Sequence, residues 1–188
     1  FVLAREDEYT ERLRGLGVSV IPLNYKLNLI AIISDITKIL RVIKAQDVDA
    51  VFSFTHICNL TFGTASFFSR FRFYPNIAGL GRAFSSGANP ALRFLITKLY
   101  RCCLLRVDKV FFQNADDCAW AVKENLVDLN LTVSLPGSGV DLKKFPPVSA
   151  LELHKNKYVT LTCRLMPQKG VDDFIKVAES FLGRDDIE

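Results

Sequence analysis

The chain has 188 residues, 49% of them apolar and 23% charged. That composition excludes a disordered chain and fits one domain, or one domain and a fraction. A net charge of +4 is too mild to indicate nucleic acid, and no basic stripe with interleaved aromatics accompanies it. The five cysteines, Cys58, Cys102, Cys103, Cys118 and Cys163, form no CxxC pair and have no His at ligand spacing. Their pattern argues against a metal site and suits a reducing cytoplasm. No signal peptide is visible, and no apolar run approaches the roughly 18 residues of a membrane span. The sequence opens on a strand-like Phe1–Ala4 and closes on Asp185-Asp186-Ile187-Glu188 just after a helical pattern. Both ends read as cut, so a fragment of a longer protein is expected, inactive by itself and marginally stable.

Strand and helix signals alternate. Phe1–Ala4 predicts a strand, Glu6–Gly15 a helix stopped by Gly15 and Gly17, and Val18–Pro22 a second strand. Leu29, Ile32, Ile33, Ile36, Ile39, Leu40 and Ile43 make a wide helical stripe. Asp49–Phe54 reads as a buried parallel strand, Ile57–Arg70 as a helix, and Phe73–Ile77 as a strand. Pro90–Arg106 predicts a helix whose series Leu92, Leu95, Ile96 and Leu99 extends to Cys102 and Cys103, all facing the core. Asp108–Gln113 predicts a strand, and Asn114 caps a helix with Asp116 and Asp117 in its first turn. Leu131–Leu135 predicts the last strand of this run. The alternation predicts an α/β fold, a Rossmann-like parallel sheet with helices on both faces and ligands at the carboxyl ends of its strands.

Pro136–Asn156 breaks the rhythm with Gly and Pro and reads as a linker or hinge, with His154 solvated within it. Tyr158–Arg164 predicts a new strand. Val171, Phe174, Ile175, Ala178, Phe181 and Leu182 predict a helix after it. One strand and one helix cannot bury a sufficient core alone.

Arg164 and Lys169 flank a strand-to-helix turn that ends in Gly170. An Arg fork, a mobile Lys and a helix N-terminus together suit a diphosphate; the alternative is a turn with two solvated charges. Gly137, Ser138 and Gly139 read equally as a hinge and as a ligand contact. Gly79, Leu80 and Gly81 follow a strand but fail as a dinucleotide fingerprint, because Phe84 stands where a third Gly belongs. They read instead as a tight loop at a strand's carboxyl end, where a sugar would sit. His56 and Asn59 lie at the same edge; a structural His is the commoner case. No Ser/His/Asp or Cys/His constellation and no P-loop can be assembled. The helix Pro90–Arg106 carries Arg93, Lys98, Arg101 and Arg106 and no acid. An outward face of Arg93, Phe94, Tyr100 and Arg101 would suit an anionic membrane surface; the alternative is a solvated or packed face.

Three stretches together resemble bacterial family-4 glycosyltransferases: Asn76–Phe84 with its Gly-Leu-Gly, Phe111–Asn114 with Asp116 and Asp117, and the junction Leu135–Asp141 joined to Arg164–Gly170. The first two resemble the subgroup acting on lipid-linked oligosaccharides in capsule or O-antigen assembly. The resemblance implies a GT-B-like architecture. Residues 1–135 would form the acceptor-side domain without its first strand, 136–156 the linker, and 157–188 the truncated start of the nucleotide-sugar domain. It implies retaining transfer of a hexose or N-acetylhexosamine from a nucleotide sugar, UDP-linked, to a lipid-linked glycan. No bound metal or cofactor is implied, and the work is cytoplasmic, at the inner face of the membrane. Arg164, Lys169 and Gly170 match the donor diphosphate site. The paired glutamates of the family would lie beyond Glu188, and the His that follows a strand in many members has no counterpart near Asn76. A non-catalytic α/β binding module is the alternative. A nicotinamide-dependent enzyme is disfavoured by the failed fingerprint.

Overall fold

The computed structural model describes residues 2–24, 28–81, 89–146, 159–166 and 169–183. Phe1, Phe84, His154 and Tyr158 lie outside them. In chain order the elements are β1 (Val2–Ala4), α1 (Thr10–Gly15), β2 (Val20–Pro22), α2 (Leu29–Ala45), β3 (Ala50–Phe54) and α3 (His56–Ala65). There follow β4 (Arg72–Ile77), α4 (Pro90–Cys103), β5 (Val110–Phe112), α5 (Ala115–Lys123), β6 (Thr132–Ser134) and α6 (Val171–Ser180). The chain divides into two compact units, Phe1–Gly139 and Val140–Glu188.

In the first unit every strand pairing is parallel: β1 with β2, and β3-β4-β5-β6 in sequence order. Parallel neighbours need crossovers, and here each is a helix. The crossovers from β3 through β6 all step the same way, so the right-handed rule puts α3, α4 and α5 on one face. β1, not β2, shares a cavity wall with β3, so the step from β1 to β2 runs the other way and puts α1 on the opposite face. The α/β layering with helices on both faces is the one the alternation predicts.

Period-two alternation sends Phe73, Ile77, Val110 and Phe112 into the core. That core has two halves. One gathers Ile77, Tyr100, Leu104, Val110, Phe112 and Ala121; the other gathers Leu23, Ile39, Ile43, Phe62, Ala65 and Phe73. Val107 packs against both. The alternate face bears Phe52, stacked on Tyr74 at 4.9 Å and 6.4 Å from Phe111. Phe52 remains 61% exposed.

Asparagines start three of the helices. Asn28, Asn89 and Asn114 accept hydrogen bonds from Ala31, Ala91 and Asp117 backbone N–H groups at 2.8, 2.9 and 2.7 Å. Elsewhere side chains shorten the expected elements. The expected start at Glu6 moves to Thr10, because Asp7 accepts from Tyr9 N–H and Thr10 Oγ1 accepts from Asp7 N–H. Such local bonds compete with helix. The helix expected to reach Arg70 ends at Ala65, where the Ser66 hydroxyl donates back to the Gly63 carbonyl. The helix expected to reach Arg106 ends at Cys103 and tightens into a 3₁₀ turn, Leu104–Arg106.

Between β1 and β3 lies a cavity of about 740 Å³, lined by both strands and floored by Ile43 and Phe62. Among the described residues no ladder joins β1 to β3.

In the second unit Asp141 caps a short turn by accepting from Lys143 N–H at 3.0 Å. α6 carries no fully buried residue. The strand expected over Tyr158–Arg164 is absent from residues 159–164. An extended segment becomes a strand by pairing, and no described strand pairs with it.

The outward face expected of α4 is corrected in part: Arg93 and Phe94 are exposed as expected, but Tyr100 is not. Tyr100 is 4% exposed and Leu104 is buried, whereas Leu95 and Leu99 are 54% and 45% exposed. Cys103 is buried but Cys102 is exposed. The cause is the contact with α3. A Cβ built on Gly63 would lie 2.6 Å from Cys103 Cβ and 3.0 Å from its carbonyl oxygen. Backbones that close set the rotation of α4. Arg93 therefore sits over the Trp120 ring at 5.7 Å, and Arg101 donates to the carbonyls of Glu124 and Asn125 at the end of α5.

Gly63→Ala is therefore expected to cost about 1–3 kcal/mol of stability through overpacking. Gly15→Ala, with no atom within 4 Å of the new Cβ, is expected to be neutral or stabilising by up to about 1 kcal/mol. Urea denaturation followed by the fluorescence of Trp120, the chain's single tryptophan, measures both. Equal midpoints for the two variants would refute the close approach.

Candidate functional site at the carboxyl edge of the sheet

Strands β3, β4 and β5 end at one edge, and their exits carry the polar residues of the first unit. β3 leaves through Thr55, whose φ of 74° and ψ of 155° lie in a region almost reserved for glycine. A non-Gly residue held there costs of order 1–3 kcal/mol, and such strain clusters at functional sites. The strained turn delivers His56 at the start of α3.

Three turns of sequence chemistry meet around His56. Its Nδ1 lies 2.6 Å from the Tyr100 hydroxyl of α4, with the rings edge to face at 5.8 Å. The ring also lies against the Gly79–Gly81 loop beyond β4. Gly81 has a φ of +73°, and a Cβ there would fall 2.6 Å from His56 Nε2. Glycine is thus required at position 81 twice, for its backbone angle and for the imidazole beside it. Burial lowers the His56 pKa below its ordinary value, against the opposing pull of Asp117 and of the Gly79 backbone. Burial likewise holds the Tyr100 hydroxyl protonated well above its usual range. The pair is neutral near pH 7.

Behind this surface lies a buried amide chain. Asn59 accepts from the Ser53 hydroxyl at 2.7 Å and donates to the Asn76 carbonyl at 2.9 Å. Gln113 donates to Asn76 Oδ1 at 3.2 Å. Each member is satisfied, as a buried polar network must be, and no described buried side-chain polar atom lacks a partner. The network ties β3, β4 and β5 together at their carboxyl ends. Asp117 closes the edge, held by Asn114 Nδ2 at 2.7 Å and lying 4.0 Å from the position of a Cβ on Gly79.

The structure therefore brings His56, Asn59, Gly79 and Gly81 together, with Leu80 partly buried between the glycines. Tyr100, expected on an outer surface, belongs to the same cluster. Asn76, Gln113 and Asp117 lie in the stretches that carry the family resemblance without being singled out as site residues, and Ser53 is not singled out at all. The sequence signal for Tyr100 was its helical spacing with Ile96 and Cys103, which marks one face. The polar atom of Ser53 carries no signal apart from its place near a strand's end.

In the second unit Arg164 and Lys169 are both exposed. Gly170 takes a left-handed conformation, φ 70° and ψ 24°, and precedes α6 without a capping side chain. The first N–H groups of α6 are thus left uncapped by any side chain, which favours an anion. Asp172 and Asp173 occupy the same first turn, and their carboxylates oppose one. Gly137 and Gly139 both have positive φ, 89° and 73°, with no atom near either. No cluster of three His, Cys, Asp or Glu side chains suited to a metal occurs among the described residues, and none of the described helices is long and apolar enough to cross a membrane.

No family model matches the chain. It is similar to the N,N'-diacetylbacillosaminyl-diphospho-undecaprenol alpha-1,3-N-acetylgalactosaminyltransferase of Campylobacter jejuni, serotype O:2. The two are 26% identical over 196 residues, covering 95% of this chain and 52% of that protein. It is also similar to a solved glycosyltransferase from Rickettsia africae ESF-5, with a TM-score of 0.66 at 16% identity, covering 97% of this chain and 49% of that one. The second likeness is one of fold. The chain spans about half the length of each. The resemblance to bacterial glycosyltransferases read from the residues stands, and so does the α/β fold class.

Proposed function

We propose that the whole protein is a glycosyltransferase that moves a hexose or N-acetylhexosamine from a nucleotide sugar, UDP-linked, to a lipid-linked glycan in cell-surface polysaccharide synthesis. The observation that carries this reading is the similarity, over 95% of the chain, to a protein named as acting on a diphospho-undecaprenol-linked sugar. The neutral, glycine-rich edge formed by His56, Gly79 and Gly81 supports it, since a sugar acceptor is recognised by hydrogen bonds rather than by charge. On this reading residues 1–135 form the acceptor side, 136–156 the linker, and 157–188 the opening of the donor domain. The cavity between β1 and β3 supports one further parallel strand there in the whole protein.

Arg164 and Lys169 hold the donor diphosphate, Gly170 lets the backbone approach it, and Gly137 to Gly139 act as hinge or donor contact. Transfer retains anomeric configuration without a bound metal. Rate acceleration comes from positioning and from stabilising charge on the departing diphosphate.

A lipid-linked acceptor brings the protein to a membrane surface on the cytoplasmic side. α4 supports such docking through a face that keeps Phe94 from the one expected from sequence and is otherwise shifted from it. Leu92, Leu95 and Leu99 are exposed beside Phe94 and Lys98, and the helix has no acidic residue. An apolar face edged by a cation suits an anionic bilayer.

Replacing Arg164 or Lys169 by Ala in the whole protein is expected to lower kcat/KM at least tenfold, since each loses a charge-assisted contact of about 1.5–3 kcal/mol. Transfer of labelled sugar from a UDP donor to an undecaprenyl-diphosphate-linked acceptor measures it. Wild-type values in both variants would remove the diphosphate assignment. For docking, Leu95→Glu/Leu99→Glu is expected to lower partitioning onto phosphatidylglycerol-containing vesicles at least tenfold, given about 1.5–3 kcal/mol per buried leucine. Co-sedimentation unchanged by the double substitution would exclude this face.

A further inference from the structure

Resting on the proposed acceptor side, we propose that His56 is a positioning residue, held by Tyr100, that sets the shape of the Gly79–Gly81 loop against which the acceptor sugar lies. The reasoning starts from the two ring nitrogens. Nδ1 faces the Tyr100 hydroxyl at 2.6 Å. Nδ1 is the hydrogen-bond partner of this buried hydroxyl, whose proton needs an acceptor, so the hydroxyl donates and Nδ1 accepts. The proton of the neutral ring then resides on Nε2. Nε2 is the nitrogen turned to the loop, since it is the atom a Cβ at Gly81 would strike. The Nε2–H is therefore the group this ring presents to the Gly79–Gly81 loop.

Three elements are thereby joined through one imidazole: α3, which carries it, α4, which fixes its tautomer, and the loop after β4, which it holds. Nδ1 is occupied by the Tyr100 hydroxyl and Nε2 carries the proton, so the neutral ring offers no free lone pair to act as a general base. Its influence on the reaction passes through the loop. The strain at Thr55 fits this role, because the unusual backbone there is what aims the ring across the edge instead of into solvent.

The experiment uses the whole protein and two independent readouts. The chain has two histidines, so long-range nitrogen–proton NMR correlation assigns His56 by comparison with His56→Gln. A neutral ring protonated at Nε2 is expected, and Tyr100→Phe should convert it to a mixture of tautomers. A ring protonated at Nδ1, or one unchanged by Tyr100→Phe, overturns the proposal whether or not transfer is ever detected. In the kinetic arm His56→Leu should raise KM for an undecaprenyl-diphosphate-linked acceptor at least tenfold while leaving KM for the nucleotide sugar within twofold. His56→Gln, whose amide nitrogen reaches the place of Nε2, should recover most of that loss. Gly81→Ala should reproduce the His56→Leu defect. A folded His56→Leu protein with an unchanged acceptor KM overturns the loop-positioning role. A wild-type protein without transfer but with the expected tautomer instead sinks the glycosyltransferase reading and leaves the His56–Tyr100–loop linkage in place.

Discussion

No side chain fits between α3 and α4 where Gly63 meets Cys103, and much of the first unit follows from that contact. Close approach at one point fixes the rotation of α4 about its axis. The arc holding Ile96, Tyr100 and Cys103 then turns inward, and the arc holding Leu92, Leu95 and Leu99 turns to the surface. Tyr100 arrives within reach of His56, and Arg101 reaches the open carbonyls at the end of α5. A packing constraint of a few atoms therefore decides which polar groups meet at the carboxyl edge. It also decides which apolar groups are left for a partner.

The two candidate regions differ in physical character. The edge around His56 is half-buried and built from amides, a phenol and an imidazole, with the Asp117 carboxylate beside them. Its members bond one another, so it offers shape and direction more than charge. The turn before α6 is the reverse: exposed, open, and populated by full charges of both signs, Arg164 and Lys169 beside Asp172 and Asp173. Exposed charges lose strength to water and salt. Such a turn gains strength when a ligand or a neighbouring surface dries it.

The order and type of the elements in the first unit were legible from residue patterns, because apolar periodicity and asparagine caps are local facts. Asn114 is the clear case: its side chain does what a capping residue's spacing implies. What failed was decided at a distance. The helix ends at Ala65 and Cys103 depend on a hydroxyl and on a 3₁₀ turn whose bonds no periodicity encodes. The facing of α4 depended on a glycine some 40 residues earlier, so the wheel of that helix admitted two adjacent apolar arcs. Tyrosine compounds the ambiguity, being equally at home at a surface and in a core with a partner for its hydroxyl. The expected strand after Tyr158 failed because a strand is a relation between segments, and residues 159–164 have no described partner to complete it. At the site, His56, Asn59 and the Gly79–Gly81 loop were visible as residues at strand ends. Their mutual bonding, and Tyr100's membership, were not.

The cavity separating β1 from β3 divides the first unit in a further sense. Hydrogen-bond ladders make sheets open and close as one, and here the ladder stops. The β1–β2 ribbon is fastened to the rest through α2 instead: Leu23 is buried in the core, Asp35 accepts from Asn24 N–H at 3.0 Å, and Lys38 donates to the Pro22 carbonyl. All of these anchors lie just beyond or at the end of β2. A two-stranded ribbon has little independent stability. The first unit of this chain thus divides into two cooperative parts. The ribbon can loosen as a foldon of low free energy, while the four-stranded sheet and its carboxyl edge keep their order.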